Sequence, residues 1–192
     1  MRIIAGKYKG INIRIPDTRE TRPTTDRVRE SMFSSIISLY GPLDNASILD
    51  AFAGSGALGF ESVSRGAKSL VAFESNKKIF ENLNKNHQMF KDDKCIINLY
   101  YADILKANLK FLPLDSKFDI LFFDPPYSYE PKVVVDIIKK LKSQDLLNEG
   151  CLVVYEHSAK QDSSSFVAMF YVANFQLKND KIYGDIAISY FM

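Results

Sequence analysis

The stretch Ile48-Leu49-Asp50-Ala51-Phe52-Ala53-Gly54-Ser55-Gly56-Ala57-Leu58-Gly59 opens on a short apolar run, passes through small residues and enters a segment with helical spacing. Gly54, Gly56 and Gly59 fit G-x-G-x-x-G, a turn in which backbone without side chains joins a strand to a helix and lets a ligand approach closely. A tight turn that needs glycine only for its torsions would read the same way, so the motif gains its meaning from its surroundings. Outward from it the rhythm repeats. Apolar runs at 47–50, 69–74, 96–101, 118–124 and 151–156 read as strands, and 57–64, 77–90, 104–111 and 131–142 carry helical spacing. Strand and helix in alternation imply an α/β fold, a doubly wound and mostly parallel sheet with helices on both faces.

The two ends of the chain break the rhythm. Segments 175–183 and 186–191 read as strands joined at Gly184-Asp185, an antiparallel C-terminal hairpin that brings the sheet to seven strands. At the other end, 1–5 and 10–15 read as a small hairpin and 26–39 as a helix with Val28, Met32, Phe33, Ile36 and Ile37 on its apolar face. The expected organisation is a basic N-terminal extension over 1–40 and a doubly wound domain over 41–192.

Composition agrees with one folded domain. The chain has 192 residues, 46% hydrophobic and 25% charged, enough for a single buried core. Its longest apolar run, 166–173, falls far short of the roughly 20 residues a membrane helix needs. The first residues lack the apolar stretch of a secretory signal, so the expected location is cytoplasmic, with no membrane partner. Cys95 and Cys151 sit among apolar neighbours and read as reduced thiols; no metal site is expected. Charge is unevenly spread. Residues 1–30 hold eight cations against four anions, and the rest of the chain 17 against 19. A basic segment on a near-neutral body suits a polyanion.

Three strand ends carry acids. Asp50 lies four residues before Gly54, where its carboxylate favours a cationic group and repels a pyrophosphate; this favours S-adenosylmethionine over a dinucleotide. Glu74 ends the second strand, where a carboxylate can accept hydrogen bonds from both ribose hydroxyls of an adenosine. Asp103 follows the third strand, placed to hold an adenine amino group or to cap a helix beginning near Ile104. The fourth strand ends in Phe122-Phe123-Asp124-Pro125-Pro126-Tyr127. Two prolines fix φ and carry no N–H, leaving the Asp124 and Pro125 carbonyls as rigid acceptors, with an aromatic ring directly after them. Such a set suits a planar base with an exocyclic amine. The amine donates to Asp124 and to the Pro125 carbonyl while Tyr127 stacks on the ring. Acceptors that draw its hydrogens out of the ring plane favour the geometry in which it attacks a methyl group.

Asp50-Ala-Phe-Ala-Gly-Ser-Gly56 with Asp124-Pro-Pro-Tyr127 resembles the class I S-adenosylmethionine-dependent methyltransferases that act on amines. Arg2-Ile-Ile-Ala-Gly-Lys-Tyr-Lys-Gly10, Thr21-Arg-Pro-Thr-Thr-Asp-Arg-Val-Arg-Glu30, the run 53–67 and Tyr183-Gly184-Asp185 resemble more narrowly the RsmD family, over essentially the whole chain. That resemblance implies transfer of a methyl group from S-adenosylmethionine to the N2 amine of a guanine in 16S ribosomal RNA. The substrate would be the small subunit or its assembly intermediate and the enzyme a monomer. It implies that Gly54, Ser55 and Gly56 line the methionine part of the cofactor, Glu74 its ribose and Asp103 its adenine, with Asp50, Phe52, Ser75 and Ile104 completing the set. Asp124, Pro125, Pro126 and Tyr127 would form the catalytic motif around a flipped-out base, the excess proton leaving through Asp124 or water. Arg22, Arg27 and Arg29 would contact RNA phosphates. Glu156 holds a position acidic in the family, without a derived role, and His157 beside it reads as a surface histidine. Methylation of adenine N6 or cytosine N4, in RNA or DNA, is the nearest alternative. A nicotinamide oxidoreductase would leave the Asp124 motif without a purpose, and a non-catalytic RNA-binding module would leave the cofactor motifs without one.

Overall fold

β1 (Ser47–Asp50) is buried along its whole length because it lies at the middle of a sheet covered on both faces, which is why it reads as a continuous apolar run rather than an alternating one. The computed structural model describes residues 1–15, 25–90, 94–112 and 117–192. β2 (Ser69–Glu74), β3 (Ile96–Tyr101), β4 (Phe118–Phe123) and β5 (Leu147–Ser158) run parallel to β1, and β6 (Leu177–Tyr183) and β7 (Ile186–Phe191) form the antiparallel hairpin. The strand order is β3-β2-β1-β4-β5-β7-β6. It reverses direction between β1 and β4, and such a reversal opens a crevice at the carboxyl ends of the strands.

The two-residue strand period divides the core. Ile48, Phe122 and Val154 face one layer, packed with Met32, Phe33 and Ile36 of α1 (Asp26–Leu39), Phe60 and Val63 of α2 (Ala57–Ser64) and Leu83 of α3 (Lys77–His87). Leu49, Phe123, Val153 and Tyr155 face the other, against Val134, Ile138 and Leu141 of α4 (Pro131–Ser143) and Phe166 and Phe170 of α5 (Ser163–Val172). Among the described residues no helix is long and apolar enough to cross a membrane.

The N-terminal hairpin is reduced to a single antiparallel bridge between Arg2 and Asn12, flanked by Ile3 N–H to Ile11 O and Ile13 N–H to Met1 O at 2.9 and 2.8 Å. What holds this segment is the body of the fold. Glu61, fully buried on α2, accepts from the N–H groups of Ile4 and Ala5 at 2.7 and 3.0 Å, and Ile3 and Ile13 enter the same core as α1.

Other expectations about the elements need correction as well. Residues 104–111 form no α-helix, only a turn and a 3-10 turn at Leu109–Phe111. The side chains of Asp103 and Asn108 take the N–H groups of Leu105 and Lys110, and such local bonds compete with helix. β5 begins four residues early, its polar start at Asn148-Glu149-Gly150 accommodated by a register shift against β4. Ile37 stays exposed, one position round the helix from buried Ile36. His157 is buried, its Nε2 2.8 Å from Ser189 Oγ and its ring edge-on to Phe166; α5, begun by an Asp162 side-chain cap, is the unforeseen element that covers it.

Candidate active site

The carboxyl ends of β1, β2 and β4 surround a cavity of about 640 Å³, within the range of small-ligand sites. The chain turns sharply after β1. Gly56 has a left-handed φ of 84°, and a Cβ there would lie 2.3 Å from the Phe60 ring, so both torsion and packing demand glycine at the start of α2. Gly54 is fixed by its N–H, which donates to Glu74 Oε2 at 3.0 Å, and the other Glu74 oxygen accepts from Asn76 N–H at 2.7 Å. The carboxylate that ends β2 is thereby held against the glycine turn by two backbone donors.

Asp50 lies beneath this turn, 2% exposed, with Oδ2 accepting the Gly59 N–H of the first turn of α2 at 3.2 Å. Its carboxylate thus takes up, from the buried side, one of the N–H groups that the start of the helix leaves without an intrahelical partner. Burial pushes its pKa up to about 7; the nearby charges of Asp124 and Glu74 add to the rise, and the backbone donors of Gly59 and Phe52 oppose it. Asp124, at the end of β4, keeps partial exposure to the cavity, and burial raises it to about 7 as well. After it the chain turns again, with Tyr129 N–H donating to Pro126 O at 2.9 Å, which leaves the Tyr127 ring 55% exposed at the mouth.

Of the residues expected at the site, Phe52, Gly54, Glu74, Ser75, Asp103, Ile104, Asp124, Pro125, Pro126 and Tyr127 line this one cavity. Asp50, Ser55 and Gly56 do not line it: Asp50 and Gly56 are buried behind the turn, and the Ser55 carbonyl accepts from Asn86 Nδ2 at 2.8 Å. The lining also includes Ala51, Phe73, Asn76, Ile79, Ala102, Ser128, Tyr129 and Glu156, none of them among the expected cofactor or base residues. Asn76 had a legible signal, an Asx residue two positions past a strand end, and it caps α3 through Lys78 and Ile79 N–H. Among the described lining residues there are four carboxylates, Glu74, Asp103, Asp124 and Glu156, and no lysine, arginine or histidine, with Lys106 Nζ 3.5 Å from Asp103 Oδ2 from outside the lining. Such a wall attracts a cation and opposes a phosphate.

The basic residues fare differently. Arg22 lies outside the described residues, and Arg27 is exposed on α1. Arg29, expected at RNA phosphates, is corrected: it is 0% exposed, its Nη2 donating to Asp26 Oδ1 and to the Arg2 carbonyl, both at 2.7 Å. Burial alone would raise the Asp26 carboxyl, but the hydrogen bonds from Arg2 and Arg29 outweigh it and hold Asp26 below the usual value. Arg29 ties the start of α1 to the N-terminal bridge through Nη2, and its Nε and Nη1 lie buried without a hydrogen-bond partner among the described residues.

Comparison with known proteins converges on one family. The family model described as conserved hypothetical protein 95 matches residues 1–192. The ribosomal RNA small subunit methyltransferase D of Haemophilus influenzae is 36% identical over 159 residues, covering 81% of this chain and 78% of that protein. Its namesake from Escherichia coli is 30% identical over 189 residues, covering 97% and 87%. The solved structure of the methyltransferase yhhF from Escherichia coli superposes with a TM-score of 0.77 at 26% identity, over 100% of this chain and 96% of that one. With the fold, the glycine turn and the full-length match in agreement, the chain belongs to the RsmD family, that of the ribosomal RNA small subunit methyltransferase D proteins.

Proposed function

We propose that this protein transfers a methyl group from S-adenosylmethionine to the exocyclic N2 amine of a guanine in 16S ribosomal RNA of the small subunit. The observation that carries the reading is the acidic cavity with Asp50 already seated at the N-terminus of α2. A dinucleotide would bring its pyrophosphate against the carboxylates of the described wall, with Asp50 buried behind the glycine turn. S-adenosylmethionine brings no phosphate, and its sulfonium and ammonium groups suit the acidic wall. When bound, the cofactor supplies an electrophilic methyl on the sulfonium. Glu74 holds the ribose hydroxyls, Asp103 and Ile104 bound the adenine, and Phe52 with the Gly54 backbone flanks the methionine part.

The rest of the chemistry is positioning. Asp124 and the Pro125 carbonyl accept the two hydrogens of the base amine, and Tyr127 stacks on the flipped-out ring. Drawing both hydrogens away from the ring plane frees the nitrogen lone pair for in-line attack. A carboxyl with a pKa near 7 then stands ready for the proton that the amine loses on methylation. Small-subunit RNA as the substrate is supported by the names of the relatives. Residues 1–40 would serve as the RNA-contacting extension, with Arg27 and Arg22 on phosphates. The test is transfer of labelled methyl to hypomethylated small subunits by wild type and by Asp124→Ala. The variant is expected to bind cofactor within about threefold of wild type and to lose transfer by roughly 100-fold or more; an active variant would overturn the role of Asp124.

A further inference from the structure

Among the cavity-lining carboxylates, Glu156 has no task in the chemistry proposed above. It stands toward the end of β5, 3% exposed, with Ile188 of β7 opposite it. β4 and β5 are parallel, Phe122 standing opposite Val154 and Phe123 opposite Tyr155. One step further along each strand are Asp124 and Glu156. Asp124 directly follows the last residue of β4, and continuing the ladder by that one residue would put both on the face shared by Phe122 and Val154, about one strand spacing apart, ~4.8 Å. Both line the same cavity, with Pro125 and Tyr127. The wall that meets the base therefore carries two neighbouring carboxylates.

Ionised carboxylates accept hydrogen bonds and donate none. The amine-bearing bases differ in what stands beside the amine. Guanine has the N1–H donor next to its N2 amine, whereas adenine and cytosine have a bare ring-nitrogen lone pair next to theirs. A row of acceptors is matched by a row of donors, and a ring-nitrogen lone pair set against a carboxylate oxygen is repelled by it and gains no hydrogen bond. We infer that Glu156 is a base-specificity residue that accepts the guanine N1–H while Asp124 and the Pro125 carbonyl take the N2 amine. The inference rests on the guanine-N2 reading and supplies the feature of the pocket that selects guanine among the amine-bearing bases.

The experiment uses small subunits reconstituted with either guanine or 2-aminopurine at the position that wild type methylates. 2-Aminopurine keeps the N2 amine and replaces N1–H by a lone pair. Wild type is expected to prefer guanine at least tenfold in kcat/KM. In Glu156→Gln, whose amide can donate to that lone pair, and in Glu156→Ala, the preference is expected to fall below about threefold. Because the readout is a ratio measured on one preparation, a general loss of activity leaves it intact. Wild type that methylates guanine N2 yet accepts 2-aminopurine equally well would overturn the role of Glu156, as would variants that keep the wild-type ratio. If the wild-type product is a methylated adenine or cytosine, the guanine reading falls and this inference falls with it.

Discussion

Asp50 and Asp124 are both held near pH 7 by burial, and that has opposite consequences for the empty and the filled pocket. A carboxyl whose pKa is raised in the fold binds a proton more tightly there than in the unfolded chain, so stability is greatest at low pH and falls as pH rises from about 4 through about 7. For Asp50 alone the loss is on the order of 2–4 kcal/mol. Asp50→Asn, whose amide oxygen can still accept from Gly59, should flatten the decline and raise the melting temperature of the cofactor-free protein at pH 8. A cationic cofactor favours the ionised forms, so its affinity should rise between about pH 6 and 8, and less in the variant. Calorimetric titration across that range checks both, and an affinity independent of pH would contradict the electrostatic role of the acids. These carboxylates were legible in the sequence because each ends an apolar run, and an acid there is visible without any knowledge of packing. Arg29 was not, because a charge pattern cannot reveal that its helix position turns it inward toward Asp26 and the Arg2 carbonyl. Glu156 could be located but not interpreted, since its meaning comes from Asp124 on the neighbouring strand.

Elements were readable where one physical signal dominated. α1 matches its expected span because Thr25 caps it and Val28, Met32, Phe33 and Ile36 repeat at helical spacing. At 104–111 the apolar spacing was present, but two Asx side chains competed for the backbone. α5 escaped because its unbroken apolar run hides the periodicity, leaving Tyr171 and Val172 exposed beside buried Phe170. The docking of the N-terminal segment was equally hidden, since it depends on single contacts distant in sequence. Gly6 has a φ of +82°, and a Cβ there would lie 1.8 Å from the Ser64 carbonyl oxygen, while Lys7 N–H donates to that same oxygen at 2.7 Å. Gly6→Ala should therefore unseat residues 1–15 and cost roughly 2 kcal/mol or more in urea unfolding. Gly10, also at positive φ but with open space around it, is the control expected to cost about 1 kcal/mol. Equal effects at the two positions would show that the contact with Ser64 does not hold the segment.

Charge divides unevenly between the N-terminal sequence and the described cavity lining. The first 30 residues carry a surplus of four cations, and the described residues of the cavity wall include four carboxylates. In the proposed function the two fields divide the work, the edge holding the RNA backbone and the cavity admitting a cationic cofactor and a neutral base. Arg22→Ala with Arg27→Ala should weaken RNA binding several-fold at low salt and reduce the salt slope by about two, with cofactor affinity unchanged; unaltered RNA affinity would show that these arginines are only solvated. The central claim is tested most directly by the chemical identity of the product. Hypomethylated small subunits are incubated with the protein and labelled S-adenosylmethionine, their RNA is digested to nucleosides, and the labelled nucleoside is identified by mass. The account predicts N2-methylguanosine; label in N6-methyladenosine or N4-methylcytidine, or no label in 16S RNA, would contradict it.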